Sequence, residues 1–328
     1  MNNQFWQYKN VLVTGGTGFV GAALVEALVH AGALVVVLER DQPQVSAIAV
    51  RNLRDRATFV RGDIIDLVMI ERVLNEYRVD TVLHIAAQAI VGVANRLPIS
   101  TFESNIRGTW NVLEACRKSA AVKRIIVASS DKAYGEPKFV PYTEEHPLLG
   151  LFPYDASKAC TDILARSYAT TFEMPLAVTR CANIYGGGDL NMNRMIPGTI
   201  ISVLSGETPI IRSDGTPQRD YLYIDDAVEA YLTLAEQLAH PEVKGQAFNF
   251  GMGAPKSVLE VFETIIRLCG KQVVPKILNE AKHEIQVQYL SSEKAKKVLG
   301  WQPRHTLEQG LKKTIEWYTQ YAPKTVYN

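Results

Sequence analysis

The sequence is poor in cysteine and has no long apolar run. Its four cysteines, Cys116, Cys160, Cys181 and Cys269, are widely spread and include no CxxC pair, which favours a reducing compartment and predicts a cytoplasmic protein. No apolar stretch reaches the roughly 18 residues of a membrane-spanning helix, and the polar residues 1–7 do not resemble a signal peptide. The six histidines show no metal-ligand spacing. We therefore expect no membrane segment and no metal site.

The chain also lacks a net charge large enough to guide it to a partner. Lys and Arg number 35 and Asp and Glu number 34, for a formal charge of +1. This balance gives no overall attraction to nucleic acid or to an anionic membrane, so any site for an anion must be local. With 328 residues and no internal repeat, the chain is long enough for one large domain or two moderate ones.

A glycine-rich loop follows the first apolar strand, residues 10–14. Gly15, Gly18 and Gly21 lie in this loop, and the residues after it have the apolar period of a helix. Strand, glycine loop and helix in this order predict a dinucleotide site, because glycines let the backbone approach a pyrophosphate at the positive end of the helix.

The second strand, residues 34–38, ends at an acidic residue, Glu39. An acid at this distance from the glycine loop can hydrogen-bond both hydroxyls of the adenosine ribose, although a solvated strand end is the plainer alternative. Arg40 could instead accept a 2′-phosphate, but the acid directly before it favours NAD over NADP. NAD is therefore the cofactor that we expect.

Two later strands of the same half also end in small or polar residues. Residues 58–61 lead to Asp63, which could hold the adenine amino group or cap the next helix, and the two interpretations are equally favoured. Residues 79–84 lead to Ala86 and Ala87, which are small where bulk would block a nucleotide. These strand ends can therefore line a cofactor groove.

Two polar residues of this half fall within elements that are otherwise apolar. His84 lies inside a strand and is expected to be a buried structural histidine. Asn105 lies near the middle of a helix predicted over residues 101–118. We expect its side chain to be solvated unless it bridges to the catalytic strand.

The stretch with the most chemistry begins at the end of an apolar strand, where Ser130, Asp131 and Lys132 follow. Open parallel sheets bind ligands at this end of their strands. A later helix begins with Tyr154 and carries Lys158 one turn on, so the two side chains share a face. An ammonium beside a phenol favours the phenolate, which would lower the pKa of Tyr154 and make it a proton shuttle. The plainer alternative is a solvated helix face.

The alternation of strands and helices breaks down at the glycines of residues 186–188. We expect a dinucleotide-binding domain over residues 1–180 and a substrate-binding part over residues 181–328, with some later segments returning to the first domain.

Three arginines, Arg194, Arg212 and Arg219, are scattered through this second part. Each of them alone is best interpreted as a surface charge. Together, on one lobe beside a cleft, they would suit a diphosphate.

Taken together, these motifs resemble those of the extended short-chain dehydrogenase/reductases, in the group of NAD-dependent nucleotide-sugar epimerases and dehydratases. The resemblance covers nearly the whole chain and rests on motifs that match in order: Gly15, Gly18 and Gly21; residues 84–88; Asn105; Ser129 and Ser130; Tyr154 to Lys158; residues 180–186; and residues 218–223. It implies an α/β fold in which a Rossmann-like doubly wound parallel sheet holds NAD. It also implies a smaller C-terminal α/β domain that binds a nucleotide diphosphate sugar, and a homodimer formed through a helical bundle.

The same resemblance assigns residues to the two ligands. The cofactor-binding set that it implies is Gly15, Thr17, Gly18, Phe19, Val20, Gly21, Glu39, Arg40, Asp63, Ile64, Ala86, Ala87, Gln88, Asn105, Tyr154, Lys158 and Cys181. The substrate-binding set is Gln88, Ser130, Asn183, Arg194, Arg212 and Arg219. The catalytic set is Ser130, Asp131, Lys132, Tyr154 and Lys158.

The residues after Ser130 divide the reactions of the family. Sugar 4,6-dehydratases carry an acid there and then a second proton-transfer residue, which is Asp-Glu in the type that acts on dTDP-glucose and Asp-Lys in the type that acts on CDP-glucose. This sequence has Asp131 and Lys132, and residues 190–194 also resemble the CDP-glucose group. The resemblance therefore implies a 4,6-dehydratase that is most similar to the CDP-glucose enzymes.

In such a reaction a neutral Lys132 would take the proton of carbon 5, and a protonated Asp131 would give one to the departing 6-hydroxyl. Neighbouring residues of an extended chain point to opposite sides, so the backbone must turn at Asp131 for both to face the substrate. The plainer alternative is a solvated charge pair.

Two other functions stay open at this point. A carbon-4 epimerase would keep the serine, the tyrosine and NAD but would need neither Asp131 nor Lys132. A non-catalytic NAD-binding protein is the third alternative, and the intact Ser130, Tyr154 and Lys158 disfavour it, because pure binding needs no proton shuttle.

Overall fold

Parallel strands form the central sheet of the protein. The structure is a computed structural model, and it describes residues 2–42, 45–280 and 285–325. The strands are, in chain order, β1 (Asn10–Thr14), β2 (Leu34–Glu39), β3 (Thr58–Arg61), β4 (Thr81–His84), β5 (Arg124–Ala128), β6 (Leu176–Cys181), β7 (Asn183–Tyr185), β8 (Ile210–Ile211), β9 (Gln218–Arg219), β10 (Tyr221–Tyr223), β11 (Ala247–Phe250), β12 (Lys256–Ser257), β13 (Lys276–Ile277) and β14 (Val287–Gln288). Within these residues, seven strands form the sheet in the order β3-β2-β1-β4-β5-β6-β11, and every neighbouring pair is parallel. The doubly wound parallel sheet predicted from the sequence is thus confirmed.

The order of the strands reverses at β1. The chain runs outward from β1 to β2 and β3, returns to β4 on the other side of β1, and continues through β5 and β6. Open parallel sheets bind ligands beyond the carboxyl ends of their strands at such a reversal. The glycine loop after β1 and the catalytic stretch after β5 both begin at this edge.

Helices cover both faces of this sheet, and further helices lie in the part of the chain after β6. They are, in chain order, α1 (Asn3–Trp6), α2 (Phe19–His30), α3 (Ala47–Val50), α4 (Leu67–Glu76), α5 (Val91–Arg96), α6 (Pro98–Phe102), α7 (Gly108–Lys118), α8 (Pro153–Phe172), α9 (Met195–Leu204), α10 (Ile224–Glu236), α11 (Val258–Leu268), α12 (Glu293–Leu299) and α13 (Leu307–Thr325). In β1, Val11 and Val13 join the core shared with α2 and α10, while Leu12 joins the core shared with α4, α7 and α8. Because both faces are buried, the strands are continuous apolar runs. None of the helices in the described ranges is both long and apolar enough to cross a membrane.

The helix predicted over residues 101–118 is longer and less regular than expected. The helix α6, a π-helical turn over Glu103–Arg107 and α7 follow one another without a break. The π turn contains Asn105, which is 1% exposed and therefore buried, not solvated. Turns of this kind are frequent at functional sites.

Small sheets and short connections form a second lobe after β6. The strand β7 pairs with β10, β9 lies between β12 and β14, and β8 pairs with β13. The helices α9, α11 and α13 pack on one another in this lobe. The chain then returns to the first lobe, because α10 packs on α2 and β11 pairs with β6.

A buried ion pair joins β6 to α8 close to the catalytic stretch. The guanidinium of Arg180 donates two hydrogen bonds to the carboxylate of Asp162, at 2.7 and 2.8 Å, and a third to the hydroxyl of Tyr134 at 2.8 Å. The side chains of Arg180 and Asp162 are 1% and 0% exposed. Because a buried charge without its partner is strongly destabilising, this pair holds β6, α8 and the turn that contains Tyr134 in one arrangement.

We predict that Arg180→Leu lowers the free energy of unfolding by about 3–5 kcal/mol, because it leaves the carboxylate of Asp162 buried without its main partner. Arg166 offers a matched control, since it binds the same carboxylate at 2.8 Å from a side chain that is 42% exposed. Arg166→Leu should cost no more than about 1 kcal/mol. Urea unfolding of the two variants measures both values, and equal losses would contradict the role given to Arg180.

Candidate active site

A cavity of about 810 Å³ opens beyond the carboxyl ends of β5 and β6. Among the residues that line it are all five predicted catalytic residues, Ser130, Asp131, Lys132, Tyr154 and Lys158, together with Phe19, Val20, Ala87, Cys181, Asn183, Arg194, Arg212 and Arg219. The structure thus brings together residues from both lobes, such as Ser130 and Arg219, which are 89 positions apart.

The chain turns directly after Ser130, as the sequence analysis requires. Ser130 has extended backbone angles, and its Oγ accepts a hydrogen bond from the backbone N–H of Lys132 at 3.2 Å. A 3₁₀ turn over Asp131–Tyr134 follows. A serine that accepts from the backbone in this way starts a helical turn. Asp131 and Lys132 consequently both line the cavity.

The carboxylate of Asp131 is buried, and only part of its capacity to accept hydrogen bonds is used. It is 3% exposed, its Oδ1 accepts a hydrogen bond from the Ser130 hydroxyl at 3.0 Å, and its Oδ2 has no hydrogen-bond partner among the described residues. Burial raises the pKa of Asp131, against the opposing effects of Lys132, Ser130 and Arg219. The protonated form, which can donate a proton, is therefore favoured relative to an aspartate in water.

Lys132 reaches across to the second lobe. Its Nζ donates a hydrogen bond to Oε1 of Gln288 at 2.5 Å, and Gln288 is completely buried. Gln288 could not be predicted as a site residue from the sequence. The two-residue strand β14 that carries it has no motif, and no sequence signal could have indicated that it meets a residue 156 positions away.

Another residue that the sequence analysis missed is Asp155, directly after Tyr154. Burial raises its pKa to about 6, while the charge of Lys132 opposes this shift and that of Asp131 adds to it. Asp155 therefore belongs to the same group of interacting charges as Asp131 and Lys132.

The expected effect of Lys158 on Tyr154 is absent from this structure. Burial raises the pKa of Tyr154 to about 12, and hydrogen bonding to Ser130 only partly opposes the shift. The ammonium of Lys158 donates instead to the backbone carbonyl of Ala128 at 2.5 Å, and burial lowers the pKa of Lys158 to about 8. Desolvation of the phenol thus outweighs the hydrogen bond to Ser130 and the charge of Arg194, and a spacing of four residues along the helix could not reveal how deeply the phenol is buried.

A second cavity of about 440 Å³ adjoins the first at the glycine loop. The predicted cofactor residues that line it are Gly15, Thr17, Gly18, Phe19, Val20, Gly21, Arg40, Asp63, Ile64, Ala86, Ala87 and Gln88. Phe19, Val20 and Ala87 line both cavities, so the two form a continuous cleft. Gln88, which was also expected to bind substrate, lines only the cavity at the glycine loop.

The glycine loop packs its backbone closely against the loop after β4 and against the start of α2. Gly15 has a φ of +70°, and a Cβ on it would lie 2.7 Å from the backbone of Ala86. A Cβ on Gly21 would lie 2.1 Å from the carbonyl oxygen of Gly15, so only glycine lets α2 begin this close to the loop. No side chain caps the first N–H groups of α2. These features fit the pyrophosphate of a dinucleotide.

Glu39 does not line either cavity. It is 6% exposed at the end of β2, and its two carboxylate oxygens accept hydrogen bonds from the guanidinium of Arg54 at 2.5 and 2.9 Å. Its neighbours Leu38 and Arg40 do line the cavity at the glycine loop. A contact of Glu39 with a ribose would therefore have to be made beside Arg54.

Asn105 also lies behind the cleft, where it connects two elements of the site. Its Oδ1 accepts from the backbone N–H of Gln88 at 2.7 Å, and its Nδ2 donates to Oγ of Ser157 in α8 at 2.9 Å. The bridge thus runs between the loop after β4 and the helix that carries Tyr154 and Lys158.

The alternative role of Asp63 as a helix cap is wrong. Its Oδ1 accepts from the backbone N–H of Ile65 at 3.1 Å, and the residue that caps α4 is Asp66. Asp63 lines the cavity at the glycine loop, which is where an adenine contact would require it.

The three arginines of the second lobe all line the larger cavity. Arg194 donates to Asp189 at 2.8 Å, and Arg219 donates to the carbonyl oxygen of Ile285 at 2.6 Å. They are therefore gathered at one cleft, where Arg194 and Arg219 are half-buried and Arg212 is exposed. Guanidinium groups in such an arrangement can bind phosphate oxygens in pairs.

His84 is buried behind the site in a defined protonation state. Its Nδ1 lies 2.8 Å from the hydroxyl of Thr14 and its Nε2 lies 3.1 Å from the hydroxyl of Thr109. Thr14 already accepts from the N–H of Ala86 and Thr109 already donates to the carbonyl of Asn105. Thr14 therefore donates to Nδ1 and Nε2–H donates to Thr109, which accounts for a neutral ring. Burial, with the charge of Lys158 adding to it, lowers the pKa of His84 to about 3.

Comparisons with known proteins agree with this architecture. The family model described as GDP-mannose 4,6 dehydratase matches residues 12–314. A trifunctional UDP-glucose 4,6-dehydratase/UDP-4-keto-6-deoxy-D-glucose 3,5-epimerase/UDP-4-keto-L-rhamnose-reductase of Arabidopsis thaliana is 32% identical over 332 residues, covering 98% of this chain and 48% of that protein. A CDP-glucose 4,6-dehydratase of Salmonella typhimurium is 30% identical over 334 residues, covering 97% of this chain and 92% of that protein. The chain thus spans about half the length of the plant relative and nearly all of the bacterial one.

Two solved structures are similar over nearly the full chain. A UDP-glucose 4-epimerase of Thermotoga maritima, crystallised with UDP-glucose, has a TM-score of 0.88 and 32% identity, covering 95% of this chain and 99% of that one. A dTDP-glucose 4,6-dehydratase of Bacillus anthracis, in complex with NAD, has a TM-score of 0.85 and 29% identity, covering 96% and 98%. The fold is therefore common to proteins with both reactions.

The neutral state of His84 makes stability depend on pH. The unfolded chain takes up a proton on this ring near pH 6.5, whereas the folded protein does so only near pH 3. We therefore predict that His84 contributes a loss of unfolding free energy of up to about 1.4 kcal/mol for each pH unit below about 6.5. His84→Gln, which keeps a polar side chain but cannot titrate, should flatten the curve of unfolding free energy between pH 6 and 4. An unchanged slope would contradict the buried neutral histidine.

Proposed function

Because the chain belongs to the GDP-mannose 4,6 dehydratase family, we propose that it is an NAD-dependent nucleotide-sugar 4,6-dehydratase. Such an enzyme converts a nucleotide diphosphate hexose into the 4-keto-6-deoxy sugar with loss of one water. The observation that carries this proposal is the turn after Ser130, through which Asp131 and Lys132 both line the cavity. A relative named CDP-glucose 4,6-dehydratase supports it.

The glycine loop and α2 would hold the cofactor, with Asp63 and Gln88 beside it. The fit rests on the missing side chains at Gly15 and Gly21 and on the uncapped start of α2. When bound, NAD supplies the acceptor and later the donor of hydride.

The oxidation of carbon 4 needs a group that takes the proton of the 4-hydroxyl. Tyr154 is that group, with Ser130 sharing the hydrogen bond. The charge of Arg194 opposes the rise of the Tyr154 pKa to about 12 that burial causes. Lys158, one turn on along α8, would have to add to this effect for the tyrosine to cycle between phenol and phenolate.

The elimination needs a base at carbon 5 and an acid at oxygen 6. Lys132, as a neutral amine, takes the proton of carbon 5, and the electron pair of that bond forms the double bond to carbon 6. The bond from carbon 6 to oxygen breaks as Asp131 donates its proton, so that water leaves. The dry setting of Asp131 favours the form that can donate.

The substrate that we propose is a nucleotide diphosphate hexose, with CDP-glucose as the first candidate. Arg219, Arg194 and Arg212 would bind the diphosphate, because they line the cleft from the second lobe. The Asp-Lys pair after Ser130 and the similarity to a CDP-glucose 4,6-dehydratase support the choice of base.

A nucleotide-sugar 4-epimerase is the second candidate function. The similarity in fold and sequence to a UDP-glucose 4-epimerase supports it. An epimerase would use Ser130, Tyr154 and Lys158 but would leave Asp131 and Lys132 without a role, which is why we place it second. A non-catalytic NAD-binding protein would need none of these five residues.

We also propose that the protein is a homodimer in the cytoplasm. The outer faces of α6, α7 and α8 expose large apolar side chains, among them Ile99, Trp110 and Ile163, which a helical bundle with a second copy would cover. All four cysteines are free, as is usual in a reducing compartment.

Incubation with a panel of nucleotide diphosphate hexoses, followed by mass spectrometry, tests the dehydratase. We predict that one of them loses one water. In Asp131→Asn with Lys132→Met, elimination should fall by about 100-fold or more while oxidation continues, so bound NADH accumulates with a 4-keto hexose that keeps its 6-hydroxyl. Tyr154→Phe is the matched control, because it should prevent the oxidation as well. Recovery of a 4-epimer of unchanged mass would contradict the proposal in favour of the epimerase.

Replacement of Glu39 tests the proposed choice of NAD. Glu39→Ala should weaken NAD binding by about 10-fold, because the ribose loses a charged hydrogen-bond acceptor. It should also reduce the preference for NAD over NADP. The guanidinium of Arg54, which no longer binds Glu39, can then attract the 2′-phosphate of NADP. Arg54→Met, which keeps the carboxylate, should retain the preference for NAD. Fluorescence titration measures both affinities, and an unchanged preference in Glu39→Ala would rule out the role of Glu39.

A further inference from the structure

One buried side chain of the second lobe contacts both residues of the proposed elimination. Oε1 of Gln288 accepts a hydrogen bond from Nζ of Lys132 at 2.5 Å, and its Nε2 donates to the backbone carbonyl of Asp131 at 3.4 Å. Gln288 is 0% exposed. The contact therefore links the second lobe to the catalytic turn from inside the protein.

The orientation of this amide is determined by its two partners. A carbonyl oxygen can only accept a hydrogen bond, and a lysine ammonium can only donate one, so the nitrogen must face Asp131 and the oxygen must face Lys132. The backbone of Gln288 is also held, because it pairs with Arg219 in the parallel ladder of β14 and β9 and its carbonyl accepts from the N–H of Asp220 at 3.2 Å. The oxygen that meets Lys132 is therefore in a preorganised position.

Lys132 can act as a base only as a neutral amine, so it matters whether the side chain that it contacts at position 288 is charged. A carboxylate next to a lysine favours the ammonium, which cannot take up a proton, whereas an amide oxygen carries no charge. We propose that Gln288 is a positioning residue for the elimination: it holds the amine of Lys132 at the cleft without the charge that would keep it protonated. This inference rests on the proposed dehydratase function and deepens it.

Charged groups from several elements surround Lys132 in the described part of the chain. Asp131 precedes it in the turn, Asp155 comes from the start of α8, and Arg219 comes from β9; all three interact electrostatically within this group. Tyr154 and Arg194 line the same cavity. A substitution at position 288 alone leaves these charged groups in place. A difference in the pH dependence of water loss between two such substitutions is therefore due to the side chain that contacts Lys132 from position 288.

The test compares Gln288→Glu with Gln288→Met in the full chain with NAD. Loss of water in a single turnover is followed against pH, and the formation of bound NADH is followed as a separate signal. In Gln288→Glu the carboxylate stabilises the ammonium, so the limb on which the rate of water loss rises with pH should move upward by about 1 unit or more. The variant should then be at least about 10-fold slow near neutral pH and recover at higher pH, because each unit changes the neutral fraction about 10-fold.

In Gln288→Met the amine loses the acceptor at position 288 without gaining a charge beside it. Water loss should be slower by about 10-fold, with no upward movement of the limb and no recovery at high pH. Formation of NADH should persist in both variants, since Ser130, Tyr154 and Lys158 are untouched. Circular dichroism and NAD binding establish that each variant is folded.

Equal pH profiles in Gln288→Glu and Gln288→Met, or an equal loss of NADH formation and water loss, would overturn the inference. If the buried carboxylate in Gln288→Glu prevents folding, Gln288→Met and the shorter amide Gln288→Asn are compared instead. The ratio of the rate of water loss to the rate of NADH formation should fall in both of these variants. These outcomes are separate from a failure of the proposed function, because that failure appears in the unsubstituted protein as an absence of water loss from every sugar and overturns both proposals.

Discussion

The hydroxyl of Ser130 makes the hydrogen bond on which the arrangement of the site depends. It accepts from the backbone N–H of Lys132 and donates to the carboxylate of Asp131, so one small side chain both starts the 3₁₀ turn and orients the residue within it. Without this turn, consecutive residues would alternate between the two sides of an extended chain. The same oxygen lies beside Tyr154, and the geometry of the proposed oxidation is thus coupled through one atom to that of the proposed elimination.

The turn is supported from behind by buried polar groups that connect separate elements. Asn105 ties the loop after β4 to α8, and Arg180 ties β6 to α8 and to Tyr134 at the end of the turn. Each of these groups is buried and has its hydrogen bonds made within the protein, which rigidifies the site and makes its geometry sensitive to the loss of a single partner. The site is therefore rigid on the side of the sheet, while the arginines approach it from the second lobe.

Local patterns in the sequence predicted the elements that bring the site together. The strands over residues 10–14 and 58–61 have the predicted bounds. The glycine loop, Ser130 and Tyr154 line the cleft at the carboxyl ends of the strands. These features could be predicted because strand period, glycine geometry and the use of strand ends are properties of short segments.

Partners that are distant in sequence could not be predicted in the same way. Gln288 meets Lys132 and Arg54 meets Glu39 only after the chain has folded, and nothing local to any of the four residues indicates the pairing. The prediction that the pKa of Tyr154 is lowered is wrong for a related reason, since burial raises it. The shift depends on how completely the fold removes the phenol from water, which a spacing of four residues does not report.

We propose that Asp131 and Lys132 make this site eliminate water between oxidation and reduction. A nucleotide diphosphate glucose with deuterium at carbon 4 tests this role directly, with the position of the label in the product read by nuclear magnetic resonance. We expect the deuterium at carbon 6 of a 4-keto-6-deoxy sugar, because the hydride removed from carbon 4 is returned after the 6-hydroxyl has left. Deuterium found again at carbon 4, in a sugar that keeps all its oxygens, would rule out the elimination.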